Sequence, residues 1–81
     1  MSFFKGKNVL VTGAAGLAGS TAVLRLLNEG ANVRATVFNF RKLNFEHSNL
    51  ETVRCDLHNY QTCLDVTNDI DIILNCTQLF D

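Results

Sequence analysis

The stretch Thr12-Gly13-Ala14-Ala15-Gly16-Leu17-Ala18-Gly19 follows the apolar run Val9-Leu10-Val11 and opens an apolar segment that ends at Gly30. A strand, a glycine turn and a helix in that order leave few folds open. Gly13 supplies the positive φ that a tight strand-to-helix turn requires. Gly16 has no Cβ, so an anion such as a pyrophosphate can approach the amides at the helix start, where unpaired N–H groups and the helix dipole favour negative charge. Ala15 and Leu17 flank Gly16 and belong to the same anion-receiving turn. Gly19 falls in the helical stripe Gly19, Ala22, Val23, Leu26 and Leu27, so its missing side chain lets the helix pack close to the sheet.

The rest of the chain repeats the alternation of strand and helix. Asn8–Thr12 reads as a buried parallel strand, a short apolar run without alternation. A helix follows from about Gly16 to Glu29, with Gly30 as its left-handed terminator. Val33–Phe38 is rich in β-branched residues and predicts a second strand. Residues 40–47 read as a short helix or a loop. Thr52–Cys55 predicts a third strand. Asn59 is positioned to cap a helix over Tyr60–Asn68, with Tyr60, Cys63, Leu64 and Thr67 on one face. A fourth strand is expected over Asp71–Cys76. Strands alternating with helices imply right-handed βαβ crossovers and an α/β fold with a parallel sheet. The doubly wound (Rossmann) order for four such strands is 3-2-1-4, with the glycine turn at the carboxyl edge beside the switch point.

With 81 residues the chain is one small domain at most, of a size that buries only about 60–65% of its unfolded surface. Nearly half the residues are hydrophobic and the charged fraction is ordinary, which marks a globular segment. The start carries no apolar core for a signal peptide and no later run is long enough to span a membrane, so a cytoplasmic location is expected. Cys55, Cys63 and Cys76 are an odd set with no C-x-x-C pair, against a disulfide framework or a zinc site. Cys55 and Cys76 fall in predicted strands and read as buried thiols. His47 and His58 are isolated, and no metal ligand set is expected. Lys5, Lys7, Arg25, Arg34, Arg41 and Lys42 place six of the seven cations in the first half, whereas acidic residues dominate the second. A basic first half suits a phosphate-bearing ligand, and equally fits scattered solvated charges. The absence of a dense Lys/Arg cluster with interleaved aromatics argues against nucleic acid.

The three-residue spacing of Gly13, Gly16 and Gly19 with Thr12 in front resembles the Thr-Gly-x-x-Gly-x-x-Gly fingerprint of short-chain dehydrogenases/reductases. The likeness is greatest to their extended branch of nucleotide-sugar epimerases, dehydratases and related reductases. It continues through Val33-Arg34-Ala35-Thr36-Val37, Cys55-Asp56-Leu57 and Asp71-Ile72-Ile73-Leu74-Asn75. It therefore covers nearly the whole chain but only the beginning of the family's domain. Residues 1–81 are expected to be the N-terminal part of an NAD(P)-binding Rossmann domain. About twenty positions beyond the glycines an acidic residue holds the ribose 2′-hydroxyl of NAD, whereas an Arg accommodates the 2′-phosphate of NADP. That count lands near Asn39. No carboxylate is present there, and Arg41 and Lys42 follow, so NADP is favoured over NAD. The family's usual Arg directly after the second strand is Phe38 here, so Arg41 or Lys42 would have to take its place, or else both are solvated loop cations. The resemblance also implies that Asp56 receives the adenine amino group while Leu57 packs on the ring. An Asp at a strand end serves equally as a turn or cap residue. Asn75-Cys76-Thr77-Gln78 occupies the place of the family's segment that lines the nicotinamide ribose through its backbone, Cys76 and Thr77 at its centre.

The family's chemistry uses a Tyr and a Lys four residues later. The single tyrosine is Tyr60, and Leu64 stands four residues on. No residue is assigned as general acid, base or nucleophile, and the chain alone is expected to be inactive. The function expected is the dinucleotide-binding segment of an epimerase/dehydratase-type oxidoreductase acting on a sugar nucleotide or an alcohol/carbonyl substrate, truncated before its catalytic half. The alternative is a stand-alone non-catalytic module that senses nucleotide or pairs with a partner through its fourth strand. In either case the fourth strand is an exposed edge, which favours self-association or a partner.

Overall fold

The computed structural model describes residues 3–38, 43–56 and 58–77. Six elements follow one another: β1 (Asn8–Thr12), α1 (Leu17–Asn28), β2 (Asn32–Val37), β3 (Leu50–Arg54), α2 (Tyr60–Val66) and β4 (Ile72–Asn75). The strands form one parallel sheet in the order β3-β2-β1-β4. This is the doubly wound order predicted from the alternation of elements, with boundaries shifted by one or two residues. Residues 43–49 form a loop with no helix; residues 40–42 of the segment read as helix or loop lie outside the described residues.

Central position explains the sequence of β1. Its pairing with β2 on one side and β4 on the other leaves Val9, Leu10 and Val11 no more than 1% exposed. Alternation then divides them between two half-cores. Val9 and Val11 join Val33, Ala35 and Val37 of β2 under Val23, Leu26 and Leu27 of α1. Leu10 faces the other way, against Val66 of α2 and Cys55. Each fully buried Val or Leu contributes about 1.5–3 kcal/mol, so β1 anchors both faces of the sheet.

The ends of α1 are set by glycines. Gly30 takes φ +87, the N–H of Gly30 donates to Leu27 O and that of Ala31 to Leu26 O. That pair of bonds closes the last turn and returns the chain into β2. Asn59 caps α2, its Oδ1 accepting from the N–H of Thr62 at 3.1 Å.

The face of α2 that carries Tyr60, Cys63, Leu64 and Thr67 is not the one it buries. Tyr60 is 76% and Leu64 46% exposed, Thr67 is exposed and Cys63 half-buried, while Val66 is the buried residue of the helix. The reason is geometric: α2 is short, and it meets the sheet through the half-core of Leu10 and Cys55. Cys55 and Cys76 lie just beyond their strands, the first buried and the second half-buried. His47 and His58 are exposed.

Candidate functional site at the carboxyl edge of the sheet

A parallel sheet delivers the residues that follow each strand to one edge. Here these are Gly13 after β1, Phe38 after β2, Asp56 after β3 and Cys76 after β4. The turn after β1 lies beside the chain leaving β4. Gly13 has φ +66, and a Cβ there would lie 2.8 Å from the Thr77 nitrogen and 2.9 Å from the carbonyl of Cys76. Only glycine fits both the conformation and the approach. Gly16 is the N-cap of α1 in extended conformation (φ −76, ψ 171), and a Cβ on it would meet nothing closer than Gly13 O at 3.6 Å. No side chain caps this helix and no acidic residue occupies its first turn. The first-turn N–H groups, which no helix can satisfy internally, therefore face the space above Gly16. Leu17, beside them, is 87% exposed. Ala15 is half-buried and packs against the α1-side core.

Gly19 is buried, but what it packs against differs from the expectation. A Cβ there would overlap Gly13 O and lie 2.8 Å from Ala14 Cα, so the close approach is to the turn rather than to the strands. The turn is held from below by the N–H of Ala14, which donates to Thr36 O at 3.0 Å.

The resemblance gives Asn75 a place in the backbone segment beside the nicotinamide ribose, and the structure adds a role for its side chain. Its Oδ1 accepts from Thr12 Oγ1 at 2.7 Å and from the N–H of Thr77 at 3.1 Å. One side chain thus ties the end of β1 to the segment that covers Gly13. An Asn at a strand end, bonding two residues on, is an Asx turn and was the available signal. Thr77 Oγ1 is buried without a hydrogen-bond partner among the described residues.

Asp56 lies at the same edge, beyond β3 and so two strand spacings from β1, about 9–10 Å. Its side chain is exposed, and Oδ1 accepts from the N–H of His58 at 2.9 Å. That bond is the turn role, and it leaves the carboxylate further acceptor capacity. Asn39, Arg41, Lys42 and Leu57 lie outside the described residues. The glycine turn, Cys76 and Thr77 are therefore brought together, with Asp56 further along the edge.

The other cations of the first half gather elsewhere. Arg25 pairs with Glu29 at 3.4 Å at the far end of α1, and Lys7 Nζ lies 5.7 Å from the centre of the Phe3 ring. Arg34 donates from Nε to Glu51 at 2.9 Å, and from Nη1 to Val66 O and Asn68 O at 2.8 and 2.9 Å. These groups lie toward the amino edge, opposite the glycine turn, and serve the fold. A depression of about 410 Å³ also opens there, lined by Asn8, Asn32, Arg34, Asn49, Glu51 and Asp69 among others. Its principal cation is already engaged by internal acceptors, so the glycine turn is the stronger site. Among the described residues no cluster of His, Cys, Asp or Glu could hold a metal ion. No described helix is long and apolar enough to cross a membrane.

A parallel 3-2-1-4 sheet with an uncapped helix N-terminus at its carboxyl edge defines a Rossmann-like nucleotide-binding class of α/β domain. The model of the NAD dependent epimerase/dehydratase family matches residues 9–80, and the chain belongs to that family. Comparison with curated proteins returns no match. Three solved structures show the likeness. An epimerase from Methanothermobacter thermautotrophicus has a TM-score of 0.84 and 30% identity over 95% of this chain and 24% of its own. A short chain dehydrogenase from Leptospira borgpetersenii with bound NAD+ has a TM-score of 0.79 and 26% identity over 94% of this chain and 33% of its own. A short chain dehydrogenase from Burkholderia cenocepacia in complex with NADP has a TM-score of 0.82 and 26% identity over 94% of this chain and 34% of its own. The chain thus spans between a quarter and a third of the length of these proteins.

Proposed function

We propose that this chain is a dinucleotide-binding segment of an epimerase/dehydratase-type oxidoreductase and that it binds NADP in preference to NAD. The observation that carries the reading is the cradle at Gly16: a helix N-terminus with no capping side chain, and space where a Cβ would stand. A pyrophosphate fits that cradle by charge and by size. In this reading Gly13, Ala15, Gly16, Leu17 and Gly19 form the pyrophosphate turn. Cys76 and Thr77 line the nicotinamide ribose through their backbone. Asp56 and Leu57 receive the adenine, and Asn39, Arg41 and Lys42 surround the ribose 2′-phosphate. The preference for NADP rests on the missing carboxylate in Val37-Phe38-Asn39-Phe40-Arg41-Lys42. When bound, the nicotinamide supplies hydride transfer; this chain's own residues bind and orient it. The substrate of the whole protein is a sugar nucleotide or an alcohol/carbonyl compound, and a cytoplasmic location is part of the same proposal.

Titration calorimetry with NADP and NAD tests this directly. Binding of both, with NADP tighter, is the expected result. Equal or reversed affinities overturn the cofactor preference and leave the fold untouched. A second reading, a module that pairs through β4 with a second copy or a partner, is favoured by the 54% exposure of Ile73 on that edge strand.

A further inference from the structure

The carboxyl edge of the sheet leaves one aromatic ring in the open. Phe38 follows β2 directly and is 50% exposed. The backbone before it is fixed from both sides. The N–H of Ala14, in the turn after β1, donates to Thr36 O at 3.0 Å, and the N–H of Cys55, after β3, donates to Val37 O at 3.0 Å. Val37 pairs with Arg54, so Phe38 stands one strand spacing, about 4.8 Å, from Cys55 and beside the backbone that delivers Asp56. The glycine turn lies one spacing away on the other side. Phe3 is also exposed, but its ring packs edge to face with Phe4 at 5.3 Å and has Lys7 Nζ over it. No ring or cation rests on Phe38 among the described residues.

We infer that the Phe38 ring is the platform on which the adenine of the dinucleotide stacks, and that Asp56 reads the edge of the same base. This role rests on the dinucleotide-binding reading above and adds to it the residue that holds the base. Chemistry divides along the edge. The cradle at Gly16 suits phosphate, with its uncapped N–H groups and open space. A base is instead flat and nearly uncharged, and its π face gains most from an apolar plane held in one place. A ring at the end of a strand whose last two carbonyls are both bonded supplies such a plane. Asp56 Oδ1 accepts from the N–H of His58, and the acceptor capacity left on the carboxylate suits an exocyclic amino group. The pair therefore selects adenine over hypoxanthine, which presents an oxygen where adenine has its amine. The ring carries no charge, so it treats NAD and NADP alike. Discrimination between them is left to the residues around the 2′-phosphate.

Proton NMR and calorimetry on the chain with NADP, NAD and the hypoxanthine analogue of NAD test this. In the parent complexes the adenine H2 and H8 signals should move upfield, because a stacked base lies in the shielding region over the ring. Phe38→Ala, checked for folding by circular dichroism, should lose that shift. It should bind NADP and NAD more weakly by the same factor, about 5- to 150-fold, the worth of one base–aromatic stack. Phe38→Tyr keeps the ring and should keep both the shift and the affinity. The hypoxanthine analogue should bind the parent more weakly than NAD does, and equal binding overturns the role given to Asp56. Unshifted adenine signals in the parent complex, or unchanged affinity in Phe38→Ala, overturn the platform and leave the dinucleotide reading in place. A loss confined to NADP overturns it too, since that result puts Phe38 at the 2′-phosphate. A parent chain that binds neither dinucleotide defeats the dinucleotide reading, and the platform falls with it.

Discussion

Gly13, Gly16 and Gly19 are three residues apart, yet the lack of a side chain does different work at each. At Gly13 both the positive φ and the backbone of Cys76–Thr77 forbid a Cβ. At Gly19 the obstacle is the carbonyl of Gly13, and at Gly16 nothing in the protein stands in the way. A valine at 16 or at 19 should therefore separate binding from folding. Gly19→Val should destabilise the chain by at least the about 1–3 kcal/mol of an overpacked site. Gly16→Val adopts its backbone without strain, so its melting temperature should stay near that of the parent while NADP binding is lost. Thermal melts and calorimetry on the two variants check both halves. Normal binding by Gly16→Val would mean that the pyrophosphate does not rest on this turn.

Helix α2 has only seven residues, too few to hold itself together in water. It is fastened at both ends instead. Asn59 satisfies an N–H at the start, and Arg34, reaching across from β2, donates to the carbonyls of Val66 and Asn68 at the finish. The guanidinium is the C-terminal cap that the helix's own last turn, with no basic residue, does not provide. Replacing Arg34 by Met keeps most of the stem and removes the donors. The chain should lose about 1–3 kcal/mol, the worth of hydrogen bonds from a charged donor to a part-buried and an exposed carbonyl. Glu51→Gln should cost well under that, about 0–1 kcal/mol, because Glu51 is 61% exposed and its pair with Arg34 is screened. Urea denaturation of the two variants gives the comparison. Equal losses would show that Arg34 acts through Glu51 and not through the helix end.

The two edges of the sheet are unlike. β3 turns Glu51, Thr52 and Arg54 outward, charged and polar residues of the kind that keep an edge from pairing. β4 is Ile72-Ile73-Leu74-Asn75 with Ile73 exposed beside the buried Leu10 of β1. Asp71 offers little protection by charge, because its Oδ2 accepts from the N–H of Asn8 at 2.9 Å and pins β4 to β1. Self-association through β4 is the expected behaviour of the isolated chain. Light scattering on the purified chain should show dimers or larger species, and Ile73→Lys should shift them toward monomer. A parent chain that stays monomeric at high concentration would rule out the edge as a pairing surface.

What could be read along the chain is what neighbours in the chain decide. The apolar run of β1, the positive φ at Gly13, the closing of α1 at Gly30 and the cap at Asn59 each depend on a few adjacent residues, and each stands where the spacing put it. Parallel order followed from the alternation of elements, because a crossover helix has only one favourable hand. The face of α2 was not legible. Tyr60 and Leu64 are as apolar as a core stripe needs, and Val66 is buried only because it is the residue that meets Leu10. Nor does the sequence say that Arg34 closes a helix more than thirty residues away, or that Asn75 ties β4 to β1. In these cases a hydrogen bond or a buried contact is made by whichever group the sheet carries within reach. That choice belongs to the tertiary structure, since local spacing determines a residue's conformation but not its partner.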